Sequence, residues 1–403
     1  MKMKAIFDVA EARQTDANPM KIWERIVTRS VEARVSDIHL MMQKDSCNLA
    51  LRIDGNFHYQ GMLDQAFARR VISHVKSAAG MDLGEQRRPL EGRMDFHVAD
   101  RDIELRVSTI RSIHGQDMVV RLFDHTVSLL EMKHLGLLNE QHEHLMDMVS
   151  RPHGLILVSG PSGSGKTTTL YATIQHLADT GRKIMTIENP VEYDLPLVNQ
   201  TQVNQRIGVT FASLLTAILR QDPNVIMVGE IRDEETANTA IRAANTGHLV
   251  LATTHATRAS RAIETMLSLG VHPYFLSTAL RCVIAQVLVK KICPDCRTTL
   301  PETAEMLVEP AVKKRLPDQN AVHLCQGTGC DQCYGTGYRG RMGVFEMFIP
   351  DEAVKRLIVN RRPADEIDKA TGEKMLSLEQ AGKLAAVTGQ TTIEELVDVL
   401  PIT

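Results

Sequence analysis

Eight consecutive residues, Gly160-Pro161-Ser162-Gly163-Ser164-Gly165-Lys166-Thr167, satisfy the pattern G-x4-G-K-[ST] at every position. The chemistry such a run can do is anion binding. Glycines let the backbone curl so that its N–H groups turn inward toward phosphate oxygens. A helix beginning at the end of the run adds the positive pole of its dipole. Lys166 would set a charge against the β- and γ-phosphates, and the Thr167 hydroxyl would ligate Mg²⁺. The flanks agree: Leu155-Ile156-Leu157-Val158 reads as the entering strand, and Thr168-Thr169-Leu170-Tyr171-Ala172 opens the helix. Gly160 to Thr168 are therefore expected to bind the cofactor, ATP with Mg²⁺. A chance Gly/Ser loop would not carry a strand before it and a helix after it.

A second set of residues could act on the bound anion. The apolar run Val225-Ile226-Met227-Val228 ends in Gly229-Glu230-Ile231-Arg232-Asp233. An acid at the C-terminal tip of a strand is where a nucleoside triphosphatase places a metal-side or water-activating carboxylate. Glu230 is the candidate for orienting the attacking water, against the plainer reading of a solvated strand end. Glu188 and Glu192 follow the expected strand Lys183–Ile187 and could reach metal or water, or simply lie on the surface. His248 and His255 flank the expected strand Leu249–Thr253, where a histidine is usually only a polar partner.

The cysteines suggest different chemistry. Of seven, five fall between Cys293 and Cys333. Cys293-Pro294-Asp295-Cys296 and Cys330-Asp331-Gln332-Cys333 are two C-x2-C knuckles, the layout of a closed, structural zinc site with four thiolate ligands, although the gap between them is long. The alternative is a set of reduced buried thiols. Cys325 is surplus; it could replace Cys330 and is expected to be a free thiol.

The elements that must position these groups read as α/β. Strand-like and helix-like stretches alternate from Leu155 to Thr253, as in a mostly parallel sheet. Residues 1–20 form a tail, 21–125 an N-terminal α/β domain, 126–135 a linker, and 136–403 the phosphate-loop domain. The last carries the cysteine-rich insert at 290–340 and a helical C-terminal region. In the N-terminal domain a helix is expected near Ile22–Arg34, and strands over Asn48–Ile53, Arg101–Ser108 and Asp117–Phe123; Glu85–Arg93 reads as a polar, Arg-rich connection. The 403 residues, 43% hydrophobic, suffice for two cores. The net charge of -3 and an aromatic content of 4% speak against a nucleic-acid groove with stacking platforms. No apolar run approaches the ~20 residues a membrane helix needs, and the start does not read as a signal peptide. A cytoplasmic protein is expected.

In order along the chain, the phosphate loop, Thr186–Glu192, Val225–Asp233 and Thr246–His255 resemble the Walker A, Asp box, Walker B and His box of the secretion ATPases of type II secretion and type IV pilus assembly. Ser36–Leu40, Arg52–Gly55, Pro89–Arg93 and Leu105–Ser108 extend the resemblance over about residues 30–400. The resemblance implies an N-terminal PAS-like α/β domain and a RecA-like P-loop ATPase domain with a four-cysteine zinc-knuckle insert. It also implies a homo-hexamer at the inner membrane that passes domain rotation to a membrane platform protein. By matched position, Glu230 would be the general base or water-positioner, Glu188 and Glu192 the Asp-box acids, and His248 and His255 the His-box pair, His248 on the cofactor side. Arg106 and Arg121 match basic positions that reach the γ-phosphate, where a guanidinium would stabilise transition-state charge. Three positions depart: Asn189 replaces the usual Asp, Thr254 a Leu, and Arg111 stands where Pro is common. The long N-terminal extension of many pilus-assembly members is missing, so docking through it is not expected. The expected function is assembly of a pilus or pseudopilus. The alternatives are a conjugation or type IV secretion ATPase, a retraction motor, a nucleic-acid motor, and a nucleotide-binding scaffold.

Overall fold

The computed structural model describes residues 6–7, 18–124, 130–301, 308–316 and 322–400. Much of the expected tail, residue 125 and residues 126–129 of the expected linker lie outside the described residues. The chain divides into two units. The first comprises Met1–Ser128, Cys293–Cys296 and Gly327–Gly340; the second comprises Leu129–Ile292, Arg297–Gln326 and Arg341–Thr403.

The first unit is built on a six-stranded sheet of β1 (Val35–Met42), β2 (Ser46–Ile53), β3 (Asn56–Asp64), β4 (Leu90–Val98), β5 (Arg101–Ser112) and β6 (Gly115–Asp124). Its order is β3-β2-β1-β6-β5-β4, with antiparallel pairing throughout. Side chains alternate in and out, so one face is apolar; in β5, Ile103, Leu105 and Val107 are buried. The helices Pro19–Glu32 and Gln65–Ala78 supply the rest of the core through Trp23, Ile26, Val27, Val71 and Val75. Each starts where local chemistry allows: Asn18 and Asp64 accept N–H groups of the first turn, and Pro19 sits where no N–H is needed. The Asp54-Gly55 turn has positive φ at both residues, which suits a tight hairpin between β2 and β3.

The expected strands of this unit are present with longer bounds, and the expected helix Ile22–Arg34 is present but shifted, running from Pro19 to Glu32. The polar stretch Glu85–Arg93 is different: its end is the start of β4, an edge strand. β4 alternates between half-buried and exposed positions up to the buried Val98, with Leu90, Met94 and Phe96 packed on the core, and its start is hidden in sequence inside the polar, Arg-rich stretch.

The second unit is a seven-stranded sheet ordered β15-β12-β7-β11-β10-β8-β9. Its strands are β7 (Gly154–Ser159), β8 (Ile184–Glu188), β9 (Val198–Gln202), β10 (Val225–Val228), β11 (Leu249–Thr254), β12 (Leu280–Ile292) and β15 (Tyr338–Phe348). A two-stranded ribbon, β13 (Arg297–Thr299) with β14 (Cys325–Gly327), stands apart from it. The pairs β8–β9, β8–β10, β10–β11, β11–β7 and β7–β12 are all parallel. Both faces of a parallel sheet are covered, which explains why β7, β10 and β11 are buried at every position. Leu155, Leu157, Ile226, Val228, Val250 and Ala252 enter one core; Ile156, Val158, Val225, Met227, Leu249 and Leu251 enter the other. The carboxyl ends of β7, β8, β10 and β11 therefore share one edge of the sheet, the edge at which open α/β folds bind ligands.

Candidate functional site

The loop from Gly160 to Gly165 leaves β7 and runs into the helix Lys166–Ala178. Glycine is required at its two ends. A Cβ on Gly160, at φ +152°, would lie 2.3 Å from the Gln286 carbonyl oxygen. Gly165, at φ +86°, adopts a left-handed conformation as it caps the helix. Lys166 Nζ donates to the carbonyls of Gly160 and Pro161 at 2.8 and 2.9 Å, so its charge lies across the loop. Burial lowers the Lys166 pKa, and the nearby Glu230 carboxylate works against that shift.

Across a cavity of about 230 Å³, Ser162, Gly163, Lys166 and Thr167 face Glu188, Asn189, Glu192, Glu230, Arg232 and His255. Four of the predicted site residues outside the loop and its helix (Glu188, Glu192, Glu230 and His255) thus share one cavity with Lys166 and Thr167. Backbone bonds from Gly229 N to Ile187 O and from Ile231 N to Thr253 O, at 2.8 and 2.9 Å, hold the Glu230 turn at the ends of three strands. The Glu230 carboxylate lies 2.7 Å from Arg232 Nη2 and 3.9 Å from His255 Nε2. Burial, then the charges of Lys166 and Arg232, lower the His255 pKa, so the ring is neutral at neutral pH.

Glu188 is arranged differently from Glu230. It is buried, and its carboxylate accepts hydrogen bonds from Tyr171 Oη, from Thr186 Oγ1 at 2.6 Å and from Gln200 Nε2 at 3.0 Å. Tyr171 Oη also accepts the Glu192 backbone N–H at 3.2 Å. Glu188 thereby ties the loop helix to β8 and β9 and orients the turn that carries Glu192. Tyr171 and Gln200 were not singled out in the sequence; a tyrosine in an apolar helix and a glutamine in a short polar strand give no signal of their own.

The remaining predicted residues lie elsewhere. His248 precedes β11, at the opposite end of that strand from His255, and six strand residues span roughly 20 Å. Its Nδ1 meets the Ala243 carbonyl at 3.1 Å. Thr168 is exposed on the first turn of the loop helix. Arg106 and Arg121 belong to the first unit. Arg121 Nε donates to Asp37 Oδ1 at 2.8 Å. Arg106 Nε donates to Glu104 at 2.6 Å, and its guanidinium stacks 3.8 Å from the centre of the Phe123 ring. The cavity lining is drawn from the second unit.

Cys293, Cys296, Cys330 and Cys333 converge, all four Sγ atoms lying within 4.8 Å of one another. The separations Cys293–Cys330, Cys296–Cys333 and Cys330–Cys333 are 3.8, 3.8 and 3.7 Å. A tetrahedron with metal–sulfur bonds of about 2.3 Å has edges of about 3.8 Å, so the donor set fits zinc. Backbone N–H groups of Gly329, Cys330 and Gly337 point at Sγ atoms from 3.2 to 3.3 Å. Burial pushes the Cys293 thiol up to about 12. At Cys333 burial also raises the pKa, but N–H groups of Cys330 and Gly337 outweigh it and hold the thiol at about 7. A bound metal would deprotonate all four. Cys325 is buried outside this cluster, with its Sγ 3.8 Å from the His323 carbonyl.

A parallel sheet with a glycine-rich loop at its carboxyl edge and acids facing that loop is an architecture for holding and reacting a phosphate ester. The model of the type II/IV secretion system protein family matches residues 13–398, and the chain belongs to that family. Type II secretion system protein E of Aeromonas hydrophila is 39% identical over 384 residues, 95% of this chain and 76% of the relative. The type IV pilus assembly ATPase PilB of Thermus thermophilus is 37% identical over 382 residues, 94% of this chain and 42% of the relative. Among solved structures, the pilus retraction motor PilT with bound ADP is 25% identical with a TM-score of 0.63, covering 94% of this chain and 97% of that one. The ATPase DotB of Yersinia pseudotuberculosis, 20% identical, has the same fold at a TM-score of 0.71, covering 94% of this chain and 93% of that one. Among the described residues no helix is long and apolar enough to cross a membrane.

Proposed function

We propose that the chain is a Mg²⁺-dependent ATPase that works as a homo-hexamer, on the cytoplasmic side of the inner membrane, driving assembly of a type II secretion pseudopilus or a type IV pilus through a membrane platform protein. The observation that carries this reading is the cavity that sets Lys166 and Thr167 opposite Glu230, in a chain whose relatives are named for that work. The four-cysteine cluster supports an assembly role, because retraction ATPases of the family the sequence resembles generally lack that insert. Residues 21–125 and 136–403 are the two working domains of this reading.

Magnesium bound there would supply charge neutralisation for the terminal phosphates. The residues placed to hold it are Thr167, through its hydroxyl, and an acid of the facing wall; the fit rests on hydroxyl and carboxylate donors around one cavity. Lys166 exchanges its two loop carbonyls for phosphate oxygens. Glu230, half-held by Arg232, accepts a proton from the attacking water and orients it. His255, neutral, borders the same carboxylate as a hydrogen-bonding neighbour. Glu188 keeps the wall in shape and Glu192 faces the cavity from the turn it orients. Arg106 and Arg121 are candidates for stabilising γ-phosphate charge, and each must leave Glu104 or Asp37 to do so. His248 has no part in this scheme.

Purified protein supplied with MgATP should release phosphate and sediment as a hexamer. A folded preparation that neither binds nor cleaves MgATP would overturn the proposal.

A further inference from the structure

The strand next to the phosphate loop carries a buried amide with both ends committed. Gln286 lies on β12, which pairs in parallel with β7 so that Ala285 stands opposite Ser159, the last residue before the loop. It is 1% exposed in a run that is otherwise apolar from Val283 to Val289. Its Nε2 donates to the Ser164 carbonyl at 2.7 Å, and its Oε1 accepts from Thr169 Oγ1 at 2.8 Å. Its own carbonyl is the atom that a Cβ on Gly160 would strike. A Cβ on Gly165 would sit 3.3 Å from its Nε2. One residue therefore touches the start, the end and the following helical turn of the loop.

The consequence follows from peptide geometry. Across a trans peptide the carbonyl of Ser164 and the N–H of Gly165 point in opposite directions. Tying the carbonyl down to Gln286 turns the N–H away from β12, toward the side where an anion would be bound. Glycine at 165 could otherwise tolerate the flipped peptide, because it accepts either sign of φ. The Ser164 carbonyl, which only accepts, fixes the sense of the amide with Nε2 facing the loop, and leaves Oε1 to accept from the Thr169 hydroxyl. We infer that Gln286 is a positioning residue that locks the Ser164–Gly165 peptide in the anion-binding orientation, and that Thr169 holds the far end of its amide. This rests on the reading of Gly160–Thr167 as the phosphate loop and deepens it.

The test measures MgATP and tripolyphosphate affinity of Gln286→Met, Gln286→Glu and Thr169→Val beside wild type, together with the melting temperature of each ligand-free protein. Leaving a buried carbonyl without its donor should weaken both ligands roughly tenfold in Gln286→Met. Gln286→Glu should be weaker still, because a carboxylate repels the Ser164 carbonyl. Thr169→Val, which leaves Oε1 without its donor and loosens the amide, should give a smaller loss, about threefold. A glutamine that only fills the core would lower the melting temperature and leave the affinity of the folded protein unchanged. That result in Gln286→Met, or in Thr169→Val should Gln286→Met fail to fold, overturns the inference while the loop reading stands. Wild type that binds neither ligand overturns the loop reading and the inference with it.

Discussion

Around the cavity, individual residues differ by how many of their hydrogen-bonding positions are already used. Glu188 has three side-chain donors and is buried; Glu230 is partly exposed, and its contacts with Arg232 and His255 fall on one oxygen. That contrast, more than the presence of an acid, separates a carboxylate that shapes the site from one that can take a proton. His255 gives a pH signature. Its folded pKa is lowered below the ordinary 6.5, first by burial and then by Lys166 and Arg232. Above pH 6.5 the ring is neutral in both states and contributes nothing to pH dependence. As pH falls through 6.5 the unfolded chain takes up the proton first, so stability declines. Urea midpoints at pH 7.5 and 5.5 should therefore drop more in wild type than in His255→Gln. Equal drops would show that the ring is not held neutral by its surroundings.

At the scale of elements, two constructions organise the chemistry. One is the β7–loop–helix unit braced by β12. The other is the pair of cysteine turns, Pro294–Cys296 and Asp331–Cys333, which come together from distant parts of the chain. Their sulfur separations match a zinc tetrahedron, and a structural zinc contributes directly to folding. Chelation, or Cys293→Ser, should lower the melting temperature by roughly 5 °C or more, with zinc restoring the chelated protein and turnover per folded molecule changing less. Metal analysis of freshly purified protein should find about one zinc per chain; none would remove the zinc reading. The phosphate loop, the knuckles and the buried parallel strands were legible in sequence because each is a local pattern: fixed spacing, or an unbroken apolar run. β9 was not, because an edge strand may be polar, as Val198–Gln202 is, and β4 was not, because its alternating apolar residues begin inside an Arg-rich stretch. Gln286 was not, because its role comes from partners more than a hundred residues away. A lone glutamine inside an apolar strand was the one available signal. His248 and His255 flank one strand in sequence and so lie at opposite edges of the sheet, and the loop at the carboxyl edge puts only His255 in the cavity.

For the whole molecule, the carboxyl edge of the second unit's sheet collects the groups that could bind and cleave a nucleotide, while the first unit holds Arg106 and Arg121. A motor needs cleavage to be separable from binding, since each drives a different part of a cycle. Lys166 and the loop amides would supply binding, and Glu230 would supply the cleavage step. The net charge of -3 gives no electrostatic reason for the cycle to be spent on a nucleic acid. The most direct test is phosphate release from MgATP by Glu230→Gln beside wild type, with bound ATP quantified on the same samples. The account predicts near-normal ATP binding and release slowed by roughly 100-fold or more. Glu230→Gln turning over at the wild-type rate would contradict it.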